Sequence, residues 1–284
     1  MSQFFRKVSI LGGGLLGGSV ALSLKNAESL SLWFRNPSAV SQAEKLGISG
    51  ATCDLAEAVA GADLLILAVP VGAMPGLVKA AIEAGLPATC LITDVGSVKQ
   101  APHHSLEIIL KNSGNPFIGS HPMAGSEQNG LEAAREGLFE NAACILTNDS
   151  KASDKLSQQL EIFWQSLGCR TSWTTAEQHD GMVARISHLP HITAAATAKS
   201  SLKDPALGAF GGGGLRDTTR VASGNPAMWA EIITENRGAI IPVLKETISE
   251  LREILATLEK SDQEMARQWL GDAKSLRDTL TNIS

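Results

Sequence analysis

Short apolar runs and helix-period segments alternate over the first 170 or so residues. Lys7-Val8-Ser9-Ile10-Leu11 reads as a buried strand. A glycine-rich turn follows at 12–17, then a helix from Gly18 to Lys25. Residues 30–34 (Leu-Ser-Leu-Trp-Phe) predict a second strand, and Val40 to Leu46 a short helix ended by Gly47. Residues 63–70 (Asp-Leu-Leu-Ile-Leu-Ala-Val-Pro) predict a third strand, stopped by a proline that has no ladder donor. Residues 90–95, 117–119 and 143–146 continue the series. Strands alternating with helices imply a mainly parallel sheet covered on both faces.

The texture changes after about Trp173. Residues 176–202, 226–259 and 262–281 read as helices with few strand signals between them. Leu244, Ile248, Leu251, Leu255 and Leu258 recur at three- and four-residue steps, as one apolar helix stripe does. Such a stripe fits plain core packing or a dimer interface, and a long helical tail with this much apolar surface favours the dimer. The expected division is 1–173 and 174–284, because 284 residues are too many for one comfortable core.

The net charge of −5 argues against nucleic-acid binding, which needs a basic face. No run of about 18 apolar residues suggests a membrane span. The N-terminus enters a strand with no signal-peptide pattern. Cys53, Cys90, Cys144 and Cys169 are far apart in sequence and read as reduced thiols of a cytoplasmic protein, with no metal site.

The chemistry begins at Gly12-x-Gly14-x-x-Gly17, directly after a strand and opening a helix. Gly12 permits the tight turn, Gly14 a close approach of a pyrophosphate, and Gly17 close helix–strand packing. The fold expected is therefore α/β, a Rossmann-type dinucleotide-binding domain followed by an all-α domain. Leu15 and Leu16, within the glycine-rich turn, and Val69 and Pro70, at the end of the third strand, complete the expected cradle. The second strand ends in Trp33-Phe34-Arg35-Asn36, without the acidic residue that would bind a ribose 2′-hydroxyl of NAD. Arg35 suits a 2′-phosphate instead, which favours NADP.

Four further stretches carry polar groups. Asp94-Val95-Gly96-Ser97-Val98-Lys99 lies at a strand's carboxyl end, where Ser97 is placed to bond a substrate hydroxyl, to cap the next helix, or both. Gly119-Ser120-His121-Pro122-Met123-Ala124-Gly125-Ser126-Glu127 holds a histidine among small residues, and an imidazole exchanges protons near neutral pH. Residues 186–191 (Ile-Ser-His-Leu-Pro-His) place His188 and His191 three apart on one side of a helix. Gly211-Gly212-Gly213-Gly214 predicts a pliable loop before Arg216-Asp217-Thr218-Thr219-Arg220, with Arg220 as the carboxylate-binding candidate and Arg216 supporting.

Together, 119–127, 187–191 and 216–220 behind a dinucleotide fingerprint resemble the prephenate and arogenate dehydrogenases of tyrosine biosynthesis, over nearly the whole chain. The resemblance implies a helical dimerisation domain and the oxidative decarboxylation of a cyclohexadienol bearing two carboxylates. It implies His121 as the catalytic histidine with Ser97 beside it. It also implies Arg220 on a substrate carboxylate, and Ser126, Glu127, His191 and Trp229 lining the pocket. Prephenate is favoured over arogenate by Met228-Trp229. No added regulatory domain is expected, and hence no tyrosine feedback through one. Two other readings stand beside this one. Dehydrogenases acting on 3-hydroxy acids or imines use a lysine on the helical domain, and Lys199 and Lys203 lack a supporting motif. A sensor that binds NADP without turnover would not need His121, Ser97 and Arg220 together.

Overall fold

The computed structural model describes residues 5–24, 29–125, 128 and 130–282. Among them, eight strands form one sheet: β1 (Lys7–Leu11), β2 (Ser29–Trp33), β3 (Ala51–Thr52), β4 (Leu64–Leu67), β5 (Leu91–Asp94), β6 (Phe117–Pro122), β7 (Ala143–Thr147) and β8 (Arg170–Thr174). Their spatial order is β3-β2-β1-β4-β5-β6-β7-β8. Every pair is parallel except β6 with β7. The strand order reverses direction beside β1, so a crevice opens at the carboxyl ends of β1 and β4, where doubly wound sheets bind ligands.

Strand alternation divides the core between the two faces. Val8, Ile10, Leu64 and Ile66 pack with Val20 and Ala21 of α1 (Leu15–Ser23) and with Phe163 and Trp164 of α6 (Asp154–Ser166). Leu11, Leu65, Leu67 and Ile92 pack on the other face with α4 (Met74–Glu83) and α5 (Gln100–Ser113). Each large side chain buried this way contributes about 1.5–3 kcal/mol. Two short helices, α2 (Pro37–Lys45) and α3 (Leu55–Val59), flank β3.

Helices dominate after β8: α7 (Ala176–Val183), α8 (Leu189–Ser201), α9 (Gly213–Thr219), α10 (Pro226–Glu235), α11 (Arg237–Glu259) and α12 (Gln263–Asp278). The chain forms two compact units, Met1–Arg237 and Gly238–Ser284. No described helix is long and apolar enough to cross a membrane.

Several elements depart from the sequence reading. The first helix starts at Leu15 rather than Gly18, and its expected end at Lys25 lies outside the described residues. The helix expected over 176–202 is interrupted by a π-helical turn, Ala184–His188. The 226–259 helix breaks at Asn236. The four-glycine stretch is a loop only in part, because α9 begins at Gly213 with Gly212 as its extended cap. In the second unit, Ile248, Leu251, Leu255 and Leu258 are exposed on the chain taken alone, so their stripe is not core packing.

Candidate active site

Because β1, β2, β4, β5 and β6 run parallel, their carboxyl ends share one edge of the sheet, and the candidate residues follow those ends. Gly12 leaves β1 with φ +109°, a left-handed backbone, and a Cβ there would lie 2.4 Å from the Ala68 carbonyl oxygen. A Cβ on Gly17 would lie 1.9 Å from the Gly12 oxygen, so only glycine lets α1 pack this close. A Cβ on Gly14 meets nothing within 4 Å. The first turn of α1, with Leu15 and Leu16, has no side-chain cap. An open backbone face at an uncapped helix start suits a pyrophosphate. Arg35 is exposed just beyond β2, and Asn36 caps α2 by accepting from the Ser38 N–H. Val69 and Pro70 follow β4.

β6 carries His121. Alternation turns Ser120 to the α6 side, where its hydroxyl accepts the Trp164 indole N–H at 2.9 Å and pairs with Thr93 Oγ1 at 2.7 Å. His121 faces the other way and is 7% exposed. Its Nδ1 lies 2.8 Å from Nε2 of His179, whose Nδ1 lies 2.8 Å from Oδ1 of Asp180. Among the described residues, nothing bonds His121 Nε2. Asp180 also accepts the backbone N–H groups of Lys99 (2.7 Å) and Gln100 (2.9 Å). It thus supplies the N-terminal cap of α5 that the sequence suggested for Ser97. Ser97 is half-buried in the turn between β5 and α5, and the residue at the cap position is Lys99.

Lys99 is fully buried and ion-paired with the fully buried Asp94. Asp94 accepts from the Gly96 N–H at 2.8 Å and the Ser120 N–H at 3.3 Å, tying the ends of β5 and β6 together. The lysine stem runs under β6, where a Cβ on Gly119 would lie 2.9 Å from Lys99 Cδ. Burial, with His179, Lys99 and His188 nearby, holds the His121 ring well below the ordinary histidine pKa. The ring is therefore neutral and able to accept a proton at neutral pH. Asp180 is pushed up by burial, but the bonds from His179, Gln100 and Lys99 outweigh that and hold it below its usual value.

A second cluster lies on α8 and α10. His191 stacks on Trp229, with centroids 3.5 Å apart and planes 9° from parallel, and His188 meets Trp229 edge-on at 6.1 Å. A Cβ on Gly224 would lie 2.4 Å from Trp229 Nε1, so that glycine makes room for the indole. The Asn236 amide donates to the Asp180 carbonyl at 2.9 Å and lies 3.0 Å from His188 Nδ1. The buried Nε2 of His188 and Nδ1 of His191 have no hydrogen-bond partner among the described residues. α10 also reaches the segment that follows β4: Glu231 accepts the Gly72 N–H at 2.6 Å, and Trp229 packs in the same apolar cluster as Val69 and Val71. Arg220 is exposed and opens the short turn Arg220–Ser223, which packs on α8. Ser126 and Glu127 lie outside the described residues. Among the described residues, no three metal-ligating side chains gather as a metal site.

His179, Asp180, Lys99 and Asp94 carry the geometry around His121, and the sequence reading assigned none of them a role there. Glu177-Gln178-His179-Asp180 reads as a polar helix start, which it also is. The available signal was buried-type spacing, since His179, Asp180 and Val183 fall on one side of α7.

Two family models match the chain: the nucleotide-binding domain of prephenate dehydrogenase over residues 20–172, and its dimerization domain over 175–272. A prephenate dehydrogenase of Bacillus subtilis is 35% identical over 99% of this chain and 77% of that protein. A cyclohexadienyl dehydrogenase of Zymomonas mobilis is 32% identical over 96% of this chain and 95% of that protein. Among solved structures, Aquifex aeolicus prephenate dehydrogenase in complex with hydroxyphenyl propionate and NAD+ superposes with a TM-score of 0.87 at 29% identity, covering 97% of this chain and 98% of that one. Synechocystis arogenate dehydrogenase gives 0.80 at 28% identity, covering 96% and 99%. With the dinucleotide cradle and the buried His121 at one sheet edge, these matches make the chain a member of the prephenate dehydrogenase family, a nicotinamide-dinucleotide oxidoreductase fold with a helical dimerisation domain.

Proposed function

We propose that the chain oxidises prephenate to 4-hydroxyphenylpyruvate and carbon dioxide, with NADP as the preferred acceptor. The observation that carries this reading is His121: a buried, neutral imidazole at the end of β6, on the edge that holds the Gly12–Gly17 cradle. The glycine cradle and uncapped α1 fit a dinucleotide, held by Gly12, Gly14, Leu15, Leu16, Gly17, Val69 and Pro70. When bound, the nicotinamide supplies the hydride acceptor. Arg35, with no acid at the end of β2, supports NADP over NAD.

His121 takes the hydroxyl proton as hydride leaves the same carbon, and Ser97 bonds the hydroxyl oxygen. The new carbonyl is conjugated to the carbon bearing the ring carboxylate. The bond to that carboxylate breaks, carbon dioxide leaves, and the electron pair enters the ring as it becomes aromatic. The phenolate oxygen then recovers the proton from His121. Arg220 anchors a substrate carboxylate through a two-point contact. His191 and Trp229 offer a flat wall, and Ser126 and Glu127 are assigned to the pocket by the family motif alone. The chain's own work is orientation and proton transfer.

The cofactor part is assigned to 1–173 and the substrate and dimer part to 174–284, supported by family models that meet between 172 and 175. The exposed stripe of α11 supports a homodimer through the C-terminal helices. Four free thiols suit the cytoplasm. Arogenate is the second reading, favoured by the Synechocystis structure.

The test is steady-state reduction of NADP and NAD with prephenate and arogenate in parallel, beside a folded His121→Asn variant. Turnover with prephenate and NADP, lost in the variant, is expected. Turnover with arogenate alone would reassign the substrate, and full activity in the variant would remove His121 from the chemistry.

A further inference from the structure

Resting on that reading, we infer that His179 and Asp180 are positioning residues that lock the tautomer of His121, so that its bare lone pair is at Nε2. Asp180 is an acceptor on both oxygens, since Oδ2 takes the Gln100 N–H and Oδ1 takes the Lys99 N–H. The remaining contact on Oδ1, from His179 Nδ1 at 2.8 Å, is then an N–H donated by the ring. A neutral imidazole carries one ring proton, so His179 Nε2 is an acceptor. His121 Nδ1, 2.8 Å away, must donate to it. His121 therefore carries its proton on Nδ1 and leaves Nε2 free, on the only ring edge that no described residue bonds.

Among the described residues, the charged and titratable groups near the ring do not compete for this arrangement. Lys99, from the turn before α5, is a buried cation paired with Asp94, and it disfavours a positive charge on His121. His188, from the π-helical turn, has its Nδ1 engaged by the Asn236 amide. Each backbone bond to Asp180 also fixes the start of α5, so the carboxylate cannot swing away without unravelling that helix end. During turnover the hydroxyl proton moves onto His121 Nε2. The resulting imidazolium keeps its Nδ1–H on His179, and the positive charge faces a chain of acceptors that ends on the carboxylate. The proton goes back to the phenolate oxygen, so no net proton is left on the relay. Without His179 the proton of neutral His121 is free to sit on Nε2, and the base is then lost in that fraction of molecules.

The experiment labels histidine with 15N in the full-length protein and reads the tautomer of His121 by NMR at neutral pH, assigned with His121→Asn. A protonated Nδ1 with an unprotonated Nε2 is expected, and a proton on Nε2 overturns the inference. In parallel, kcat and KM are measured for His179→Leu and His179→Gln, with thermal melts to establish folding. His179→Leu should lower kcat about 100-fold or more with KM changed less than about threefold, within the range that general-base catalysis supplies. His179→Gln, whose amide oxygen can accept from His121 Nδ1, should recover at least about tenfold of that loss. A folded His179→Leu protein with kcat within about twofold of the parent refutes the role. If His179→Leu does not fold, the His179→Gln comparison and the parent spectrum decide. The NMR reading needs no substrate, so it stands or falls separately from the assignment of prephenate.

Discussion

His188 makes a stability prediction that can be worked through. Its ring is 1% exposed, and burial holds its pKa down from 6.5 to about 4, with Asp180 opposing and with His179 and His191 adding to the lowering. The structural reason is visible at Nδ1. The Asn236 amide spends one N–H on the Asp180 carbonyl and points the other at His188 Nδ1, which must therefore accept. Protonation would set two donors against each other in a dry site. Below about pH 6.5 the unfolded chain takes a proton here and the folded chain does not, so stability falls with pH until the folded ring titrates near 4. At about 1.4 kcal/mol per pH unit, the neutral ring contributes about 3 kcal/mol at pH 7, and acid removes it. The assay is urea unfolding followed by tryptophan fluorescence, with Trp164 buried in the same unit, at steps from pH 7 to 4. His188→Gln, which cannot titrate, should lose less stability over that range, by about 3 kcal/mol. His121, His191 and His103 are also held low; His191 and His103 are common to both proteins, and His121 loses only the smallest of its lowering causes when His188 is replaced. Asp180 is held below 3.8 and acts in the same direction only at more acidic pH. Parallel curves for the two proteins between pH 6.5 and 4.5 would refute the reasoning.

Three further outcomes follow from the geometry. Gly224→Ala drives a methyl to 2.4 Å from the Trp229 indole nitrogen and 3.2 Å from His191 Cε1, so KM for prephenate should rise about tenfold, with kcat within a few-fold; an unchanged KM removes the stacked pair from the pocket. Leu251→Glu with Leu255→Glu places two charges in a stripe whose residues are 58% and 55% exposed on the single chain; light scattering should report a monomer, and a persistent dimer would locate the interface elsewhere. Arg35→Ala should raise KM for NADP by about 10- to 100-fold, the value of one charge-assisted bond, and leave KM for NAD nearly unchanged; equal effects on both cofactors would detach Arg35 from the 2′-phosphate.

Much of the nucleotide-binding half is legible because its strands are buried on both faces. Leu64-Leu65-Ile66-Leu67 is an unbroken apolar run, as a central parallel strand requires. β8 escapes for the opposite reason. Arg170-Thr171-Ser172-Trp173-Thr174 is a sheet-edge strand, mostly exposed, with no apolar face to signal it. α9 escapes because glycine costs about 1 kcal/mol in a helix interior, so a four-glycine run argues for a loop. At the site, His121 is legible from its local setting of small residues and Pro122. Its support is not: His179 is 58 residues away, and the carboxylate that caps α5 comes from 81 residues away. Contacts at that separation leave no periodicity. Helix capping read locally pointed to Ser97, which is why Asp180 went unnoticed.

The π-helical turn at Ala184–His188 has a consequence for how this segment tolerates change in length. An α-helix advances by about 100° per residue, and a single wide turn absorbs one extra residue without ending the helix. The turn therefore acts as a phase shifter between two rods: α7, which aims His179 at His121, and α8, which aims His191 at Trp229. Straightening it with all its residues kept would leave a smoother and more regular helix. That helix would turn the whole of α8 by about a quarter of a revolution relative to α7, and deleting one residue would undo the rotation. Here the irregularity is what keeps the two histidines in phase, and a more ideal helix would be a less competent one.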